Sequence, residues 1–132
     1  MKIIKVFFLS FVYLSLGFTT VNNSYYQQWN FIGDKKVNFL VDRDVIHVTG
    51  NDNYRQIKLK VTGGPVHILD MNIYFENGDK FDVSIRNRIP QGGESRVIDL
   101  PGGSRSIKKI EFWYETKGFL KGKGRVAVWG ER

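Results

Sequence analysis

Carboxylates one residue apart are the first place to look for chemistry, and Asp42-Arg43-Asp44 supplies such a pair. Asp42 and Asp44 could offer oxygen ligands to calcium if the backbone bulged between them. They could also act as acid and base in glycoside hydrolysis, which needs carboxyls about 5 to 9.5 Å apart across a cleft. The plainer expectation is that both flank Arg43 in a local ion pair at a strand end, with no metal bound. Other nucleophiles are scarce. The chain has no Cys, so there is no thiol to activate. Ser95, in Gly92-Gly93-Glu94-Ser95-Arg96, lacks the Gly-x-Ser-x-Gly elbow that would expose a serine for attack. His47 and His67 are the only imidazoles, and alternation puts His67 on a face with Leu69 and Met71, where it packs rather than ligates zinc. No catalytic residue and no cofactor is assigned, and a hydrolase built on a carboxylate pair stands only as an alternative.

Binding chemistry is better represented. Trp113, Arg125 and Trp129 would form an outward cluster of two indoles and a cation if the strands around residues 107–116 and 125–129 paired as a hairpin. In that register Phe112 meets Val128, Tyr114 meets Val126, and the tryptophans sit on the side away from the core. Flat aromatic surfaces of this kind stack sugars, although large aromatics are more often packed, here under a second sheet or under an N-terminal segment with Tyr25, Tyr26 and Trp29. Gly102 and Gly103 beside Arg105, Lys108 and Lys109 could cradle an anion through backbone amides. No Walker-type or dinucleotide spacing accompanies them, so an ordinary turn with solvated cations is the simpler expectation.

The elements that must position these residues are strands. At 132 residues, with 14% aromatics, 14 Gly and only 3 Pro, the chain suits one domain of short strands joined by tight turns. Period-two alternation recurs, and no window carries a helical apolar stripe of three turns. Residues 66–75 place His67, Leu69, Met71, Ile73 and Phe75 on one face. Glu76-Asn77-Gly78-Asp79 follows with the Asn-Gly pair of a type I′ hairpin, and then Phe81, Val83 and Ile85 alternate. Further strands are expected at 29–32, at Val37-Phe39-Val41, at 55–61 with Ile57, Leu59 and Val61 opposite Gln56, Lys58 and Lys60, at 96–100, at 107–116 and around Val126 and Val128. Breaks are expected at Gly33-Asp34, at Gly50-Asn51-Asp52-Asn53 and at Gly63-Gly64-Pro65. Between Val45 and Val48 the pattern is ambiguous: Arg43 shares parity with Val37, Phe39 and Val41, so the strand either ends or is reset by a bulge. About eight strands and no helix predict an all-β, jelly-roll-like antiparallel β-sandwich, with a closed barrel as the alternative.

Lys2 and Lys5 precede an apolar run from Val6 to Phe18, followed by small and polar residues. This reads as a signal peptide over residues 1–20, cut between Gly17 and Thr20, ahead of a single domain at 21–132. The run is shorter than the roughly 20 residues a membrane span needs. The expectation is an exported protein, periplasmic or secreted, with no membrane span after processing. The formal charge is +7, and it is uneven. Residues 86–132 carry eleven Lys or Arg against five Asp or Glu, whereas residues 21–85 carry seven against eight. For an exported basic protein the partners to consider are envelope glycans, anionic surfaces and acidic proteins rather than nucleic acid.

Two runs carry a family likeness. Ser95-Arg96-Val97-Ile98-Asp99-Leu100-Pro101-Gly102-Gly103 leads into Ile107-Lys108-Lys109-Ile110-Glu111-Phe112-Trp113-Tyr114, and upstream Trp29-x-x-Ile32-Gly33 precedes Val37-x-Phe39-x-x-Asp42-Arg43-Asp44. Over roughly residues 28–130 the chain resembles an exported bacterial domain-of-unknown-function family that includes YaaI-like proteins. The resemblance implies a periplasmic or secreted β-sandwich with no established activity, and it carries no catalytic residue across. The sequence therefore points to a non-enzymatic envelope protein with a binding or structural role, a carbohydrate-binding module being the alternative.

Overall fold

A computed structural model describes residues 28–37, 42–116 and 124–132. The segment read as a signal peptide, Phe39 and Val41 of one expected strand, and the expected loop at 117–122 lie outside these residues. Ten strands are present among the described residues: β1 (Trp29–Lys36), β2 (Asp42–His47), β3 (Asn53–Tyr54), β4 (Gln56–Thr62), β5 (Val66–Phe75), β6 (Lys80–Val83), β7 (Asn87–Ile89), β8 (Ile98–Asp99), β9 (Arg105–Glu115) and β10 (Arg125–Glu131). They form two antiparallel sheets, one ordered β1-β10-β4-β8 and the other β2-β9-β5-β6, with β3 paired to β9 and β7 to β5. The fold is thus an all-β sandwich, with ten strands where about eight were expected.

Alternation dictates the core. Ile57, Leu59 and Val61 of β4 and Val126 and Val128 of β10 face inward from the first sheet, while Ile110, Phe112 and Tyr114 of β9 and Met71, Ile73 and Phe75 of β5 face inward from the second. All are essentially inaccessible to water and belong to one apolar cluster. Burying an aliphatic or aromatic side chain of this size contributes roughly 1.5–3 kcal/mol each, and with no Cys in the chain apolar burial is the main stabilising term.

Four local expectations are corrected. In β5 the pairing with β9 shifts between Ile68 and Asp70. Leu69 is the extra residue of this bulge, and it resets the alternation. Val66 and Ile68 are buried ahead of the bulge, whereas His67 and Leu69, expected on the core face, are only half-buried. The β5–β6 hairpin forms, but with a different turn. The Gly78 amide donates to the Phe75 carbonyl at 3.0 Å and the Phe75 amide to the Asp79 carbonyl at 2.9 Å. With Gly78 at φ 94°, this is a three-residue loop closed by a glycine bulge rather than a two-residue type I′ turn.

Gly33 is not a break either. β1 runs through it, with a register shift between Phe31 and Gly33 against β10. A Cβ at Gly33 would stand 2.7 Å from Ile46 Cγ2, so glycine is needed there for close approach of β1 to β2. Finally, β9 and β10 do not pair. β9 lies between β2 and β5 in one sheet, and β10 between β1 and β4 in the other. The hairpin that would have joined Phe112 to Val128 does not exist.

Candidate functional site

The separation of β9 from β10 dissolves the Trp113, Arg125 and Trp129 cluster and leaves an indole on each outer face of the sandwich. On β9, Trp113 stands between the buried Phe112 and Tyr114 and points outward, paired in register with exposed Arg43 on β2 and exposed Asp70 on β5. On β10, Trp129 stands between the inward Val128 and Gly130, paired with Phe31 on β1 and Lys58 on β4. Arg125, further along β10, donates to Asp34 at 2.9 Å.

The Trp113 face carries a polar network centred on Glu111. Glu111, only 8% exposed, is paired with Arg43, accepts from the Tyr74 hydroxyl at 3.1 Å and lies 3.5 Å from the Asn72 amide. Arg43 in turn lies 5.9 Å from the Trp113 ring centroid, and Lys109 stands 4.8 Å over Tyr74. Burial pushes the Glu111 carboxyl up, but hydrogen bonds from Arg43, Tyr74 and Asn72 and the Arg43 charge outweigh it, leaving the pKa below the ordinary glutamate value. Arg43 and Tyr74 thus hold the Glu111 carboxylate from both neighbouring strands.

The Trp129 face is different. β4 and β10 turn Lys58, Lys60, Ala127 and Trp129 outward, with Lys58 opposite Trp129 and Lys60 opposite Ala127. β1 adds Phe31, which is 54% exposed and meets Trp129 edge-on at 5.6 Å. Trp29, Lys58, Lys60, Glu94 and Trp129 line a cleft of about 160 Å³. The Lys58 ammonium lies 4.4 Å from the Trp29 ring and 3.0 Å from the Glu94 carboxylate. The Lys60 ammonium lies 5.9 Å from the Trp129 ring. The Trp129 indole N–H is buried and has no hydrogen-bond partner among the described residues, at a cost that native structures rarely accept.

Most of the remaining candidates are occupied within the fold. Asp44 accepts from the Tyr114 hydroxyl at 2.7 Å, and Asp42 accepts from the Arg43 amide at 2.7 Å. Arg43 spends its guanidinium on Glu111 instead of the flanking acids, so the local ion pair expected there is replaced by a cross-strand one. Among the described residues, no three His, Asp or Glu side chains are grouped to hold a metal. Ser95 is buried, its hydroxyl accepting from the Leu59 amide at 2.9 Å and donating to the Arg96 carbonyl at 2.8 Å. The basic trio does not converge on an anion. Arg105 donates to the Pro101 carbonyl and to Asp79, both at 2.8 Å, with its guanidinium 3.9 Å over Phe75. Lys109 covers Tyr74, and Lys108 is exposed at the shift in the β5–β9 register.

The sequence thus pointed to Trp129, and to Trp29 only as part of a segment packed over it, and did not point to Phe31, Lys58 or Lys60 as its partners. Trp29, Phe31, Lys58 and Lys60 come from strands whose pairing with β10 is not written in any one of them. The available signal was the outward parity of Lys58 and Lys60 on β4.

Fold and surface together define an antiparallel β-sandwich that carries, among the described residues, the Glu111 polar network on one outer face and the cleft between Trp29 and Trp129 on the other. The chain belongs to the family described as a domain of unknown function (DUF2541), whose model matches residues 6–130. No curated protein matches it. Among solved structures, Pseudomonas aeruginosa AlgX is similar at 15% identity and a TM-score of 0.48, over 75% of this chain and 26% of that one. A protein of infectious bursal disease virus, Gx strain, is similar at 12% identity and a TM-score of 0.38, over 82% of this chain and 34% of that one. A family 29 carbohydrate binding module is similar at 12% identity and a TM-score of 0.33, over 81% of this chain and 88% of that one. The chain therefore spans about a quarter of the AlgX chain and a third of the viral one. Among the described residues, no helix is long and apolar enough to cross a membrane.

Proposed function

We propose that the chain is an exported, non-enzymatic β-sandwich module that binds saccharide at the cell envelope through the cleft between Trp29 and Trp129. The observation that carries this reading is the cleft itself, where two indoles stand beside two ammonium groups and one carboxylate on an outer sheet face. The C–H faces of a pyranose ring stack on indoles, and its hydroxyls need donors and acceptors at the rim. Lys58 and Lys60 supply donors and Glu94 an acceptor. A shallow cleft that fixes a ligand with few polar groups is what recognition without turnover requires.

Two further observations support the non-enzymatic part. Asp44 and Glu111 are each engaged by tyrosine hydroxyls, and Glu111 by Arg43 as well, so both carboxylates tie together strands of the second sheet and neither lines the cleft. Export is supported by the basic and apolar N-terminal run and by the resemblance to YaaI-like proteins.

Affinity electrophoresis against embedded polysaccharides tests the reading. The wild type and Trp113→Phe should be retarded alike, and Trp129→Ala should run as in the empty gel. A wild type that no polysaccharide retards would end the saccharide reading. Mass spectrometry of the protein recovered from a periplasmic fraction tests export, which predicts a chain shortened by about the first 20 residues.

A further inference from the structure

The cleft also has a charge preference, and this inference rests on the saccharide reading above. Lys58 and Lys60 are neighbours on the same face of β4, yet their surroundings differ. Glu94 is bridged to Lys60 through the backbone but gives its carboxylate to Lys58. Lys58 therefore has its counter-charge in Glu94, and its ammonium is also held over Trp29. No carboxylate among the described residues pairs with Lys60, which reaches back toward the Trp129 ring. Of the other acids on this sheet, Asp34, opposite Ala127, is taken by Arg125, Asp99 accepts from the Gln56 amide, and Glu131 lies at the Trp29 end of the cleft, away from Lys60.

Ala127, directly opposite Lys60, is the smallest outward side chain of β10, and it stands two residues from Trp129, a rise of about 6.6–6.8 Å along the strand. A sugar stacked at Trp129 would place its neighbour in a chain over Ala127, under the Lys60 ammonium. Neutral hydroxyls there would leave an indole-bound cation without a counter-charge. A carboxylate would supply one through a charge-assisted hydrogen bond.

We infer that the cleft takes an acidic saccharide, a polymer of uronic acids, and that Lys60 is the residue that selects the carboxylate while Trp29 and Trp129 hold the ring.

The test compares polygalacturonate with the same polymer fully methyl-esterified, which keeps the sugar backbone and removes the charge, using the full chain and affinity electrophoresis. Dextran sulfate serves as a polyanion of different geometry. The expected result is retardation by polygalacturonate, weaker by about fivefold in affinity for the ester and for Lys60→Gln, with Lys60→Arg keeping most of the binding. Trp129→Ala should lose both uronate polymers. Equal affinity for acid and ester, or an unaffected Lys60→Gln, would overturn the acidic preference and leave the saccharide reading standing. Dextran sulfate bound as tightly as polygalacturonate, with Trp129→Ala unaffected, would reduce the site to a patch of positive charge. Retention of neither uronate polymer would overturn the acidic preference, and other embedded glycans would then decide the broader reading.

Discussion

Trp113 and Trp129 project from opposite outer faces of the sandwich. Each is flanked along its strand by inward residues, yet β9 is hydrogen-bonded to β2 and β5 while β10 is hydrogen-bonded to β1 and β4. The two indoles therefore differ in what surrounds them. Trp113 stands beside Arg43, which is ion-paired with Glu111, whereas Trp129 lines a cleft and has an indole N–H without a partner among the described residues.

That contrast predicts which tryptophan reports a ligand. Adding polygalacturonate should change the intrinsic emission of the wild type. The change should persist in Trp113→Phe and fall sharply in Trp129→Phe, where Trp29 is left as the indole lining the cleft. A response lost in Trp113→Phe and kept in Trp129→Phe would move the site to the other face.

Glu111 should make stability depend on pH in a defined window. Its folded-state pKa lies below the ordinary value of 4.5, so the unfolded chain binds a proton more readily than the folded one. The stabilisation is then present above about pH 4.5 and is lost as the pH falls through the lower folded-state value. Glu111→Gln keeps the shape but removes the charge that faces Arg43. It should cost roughly 1–2 kcal/mol at pH 7, and the gap to wild type should shrink as the pH falls below 4. Urea unfolding of both proteins at pH 7 and pH 3 measures this, and a constant gap would sink the account.

How much of this was legible in the sequence depends on whether the information was local. Strand character, the inward sets Ile57-Leu59-Val61 and Ile110-Phe112-Tyr114, and the hairpin after Phe75 follow from alternation and turn chemistry within one stretch of chain. The β5 bulge is harder, because Val66, Ile68 and Leu69 are all apolar and either parity reads as a core face. The partner of β10 was not legible at all. Residues 105–115 and 125–131 are close in sequence and both alternate, so a hairpin is the economical guess, but β4 and β1 compete for the same edges of β10 and win. Since the candidate cleft is made where β1, β10 and β4 lie side by side, its membership had to wait for the sheet order.

Gly130 shows a constraint of that same long-range kind. A Cβ there would stand 2.6 Å from Tyr54 Cδ1 and 2.9 Å from Cγ, and the Tyr54 ring is only 4% exposed. The ring has nowhere to retreat without disturbing β3 or β10. Gly130→Ala should therefore destabilise the fold by about 1–3 kcal/mol through overpacking, read as a lower urea midpoint at unchanged slope. Pairing it with Tyr54→Leu, which removes the facing ring edge, should recover part of the loss relative to Tyr54→Leu alone. Simple additivity of the two changes would show that the ring is not what Gly130 accommodates.

Arg105 is expected to act as a clamp between two turns. Its guanidinium reaches the Pro101 carbonyl in the turn before β9 and Asp79 at the end of the β5–β6 loop, and it also covers the Phe75 ring. Asp79 is further held by the Asn77 side chain, and hydrogen bonds from Asn77 and Arg105 keep its carboxyl below the usual aspartate range despite opposing desolvation. A lysine at position 105 keeps the charge but cannot present a planar fork to two acceptors while lying flat on an aromatic face. Arg105→Lys should therefore lower Tm and speed amide hydrogen exchange at Gly78 and Asp79 while leaving exchange in β4 and β10 as it was. If Arg105→Lys matches the wild type at all of these amides, the residue is an ordinary solvated cation, and the turn before β9 and the β5–β6 loop are held by their own backbone bonds.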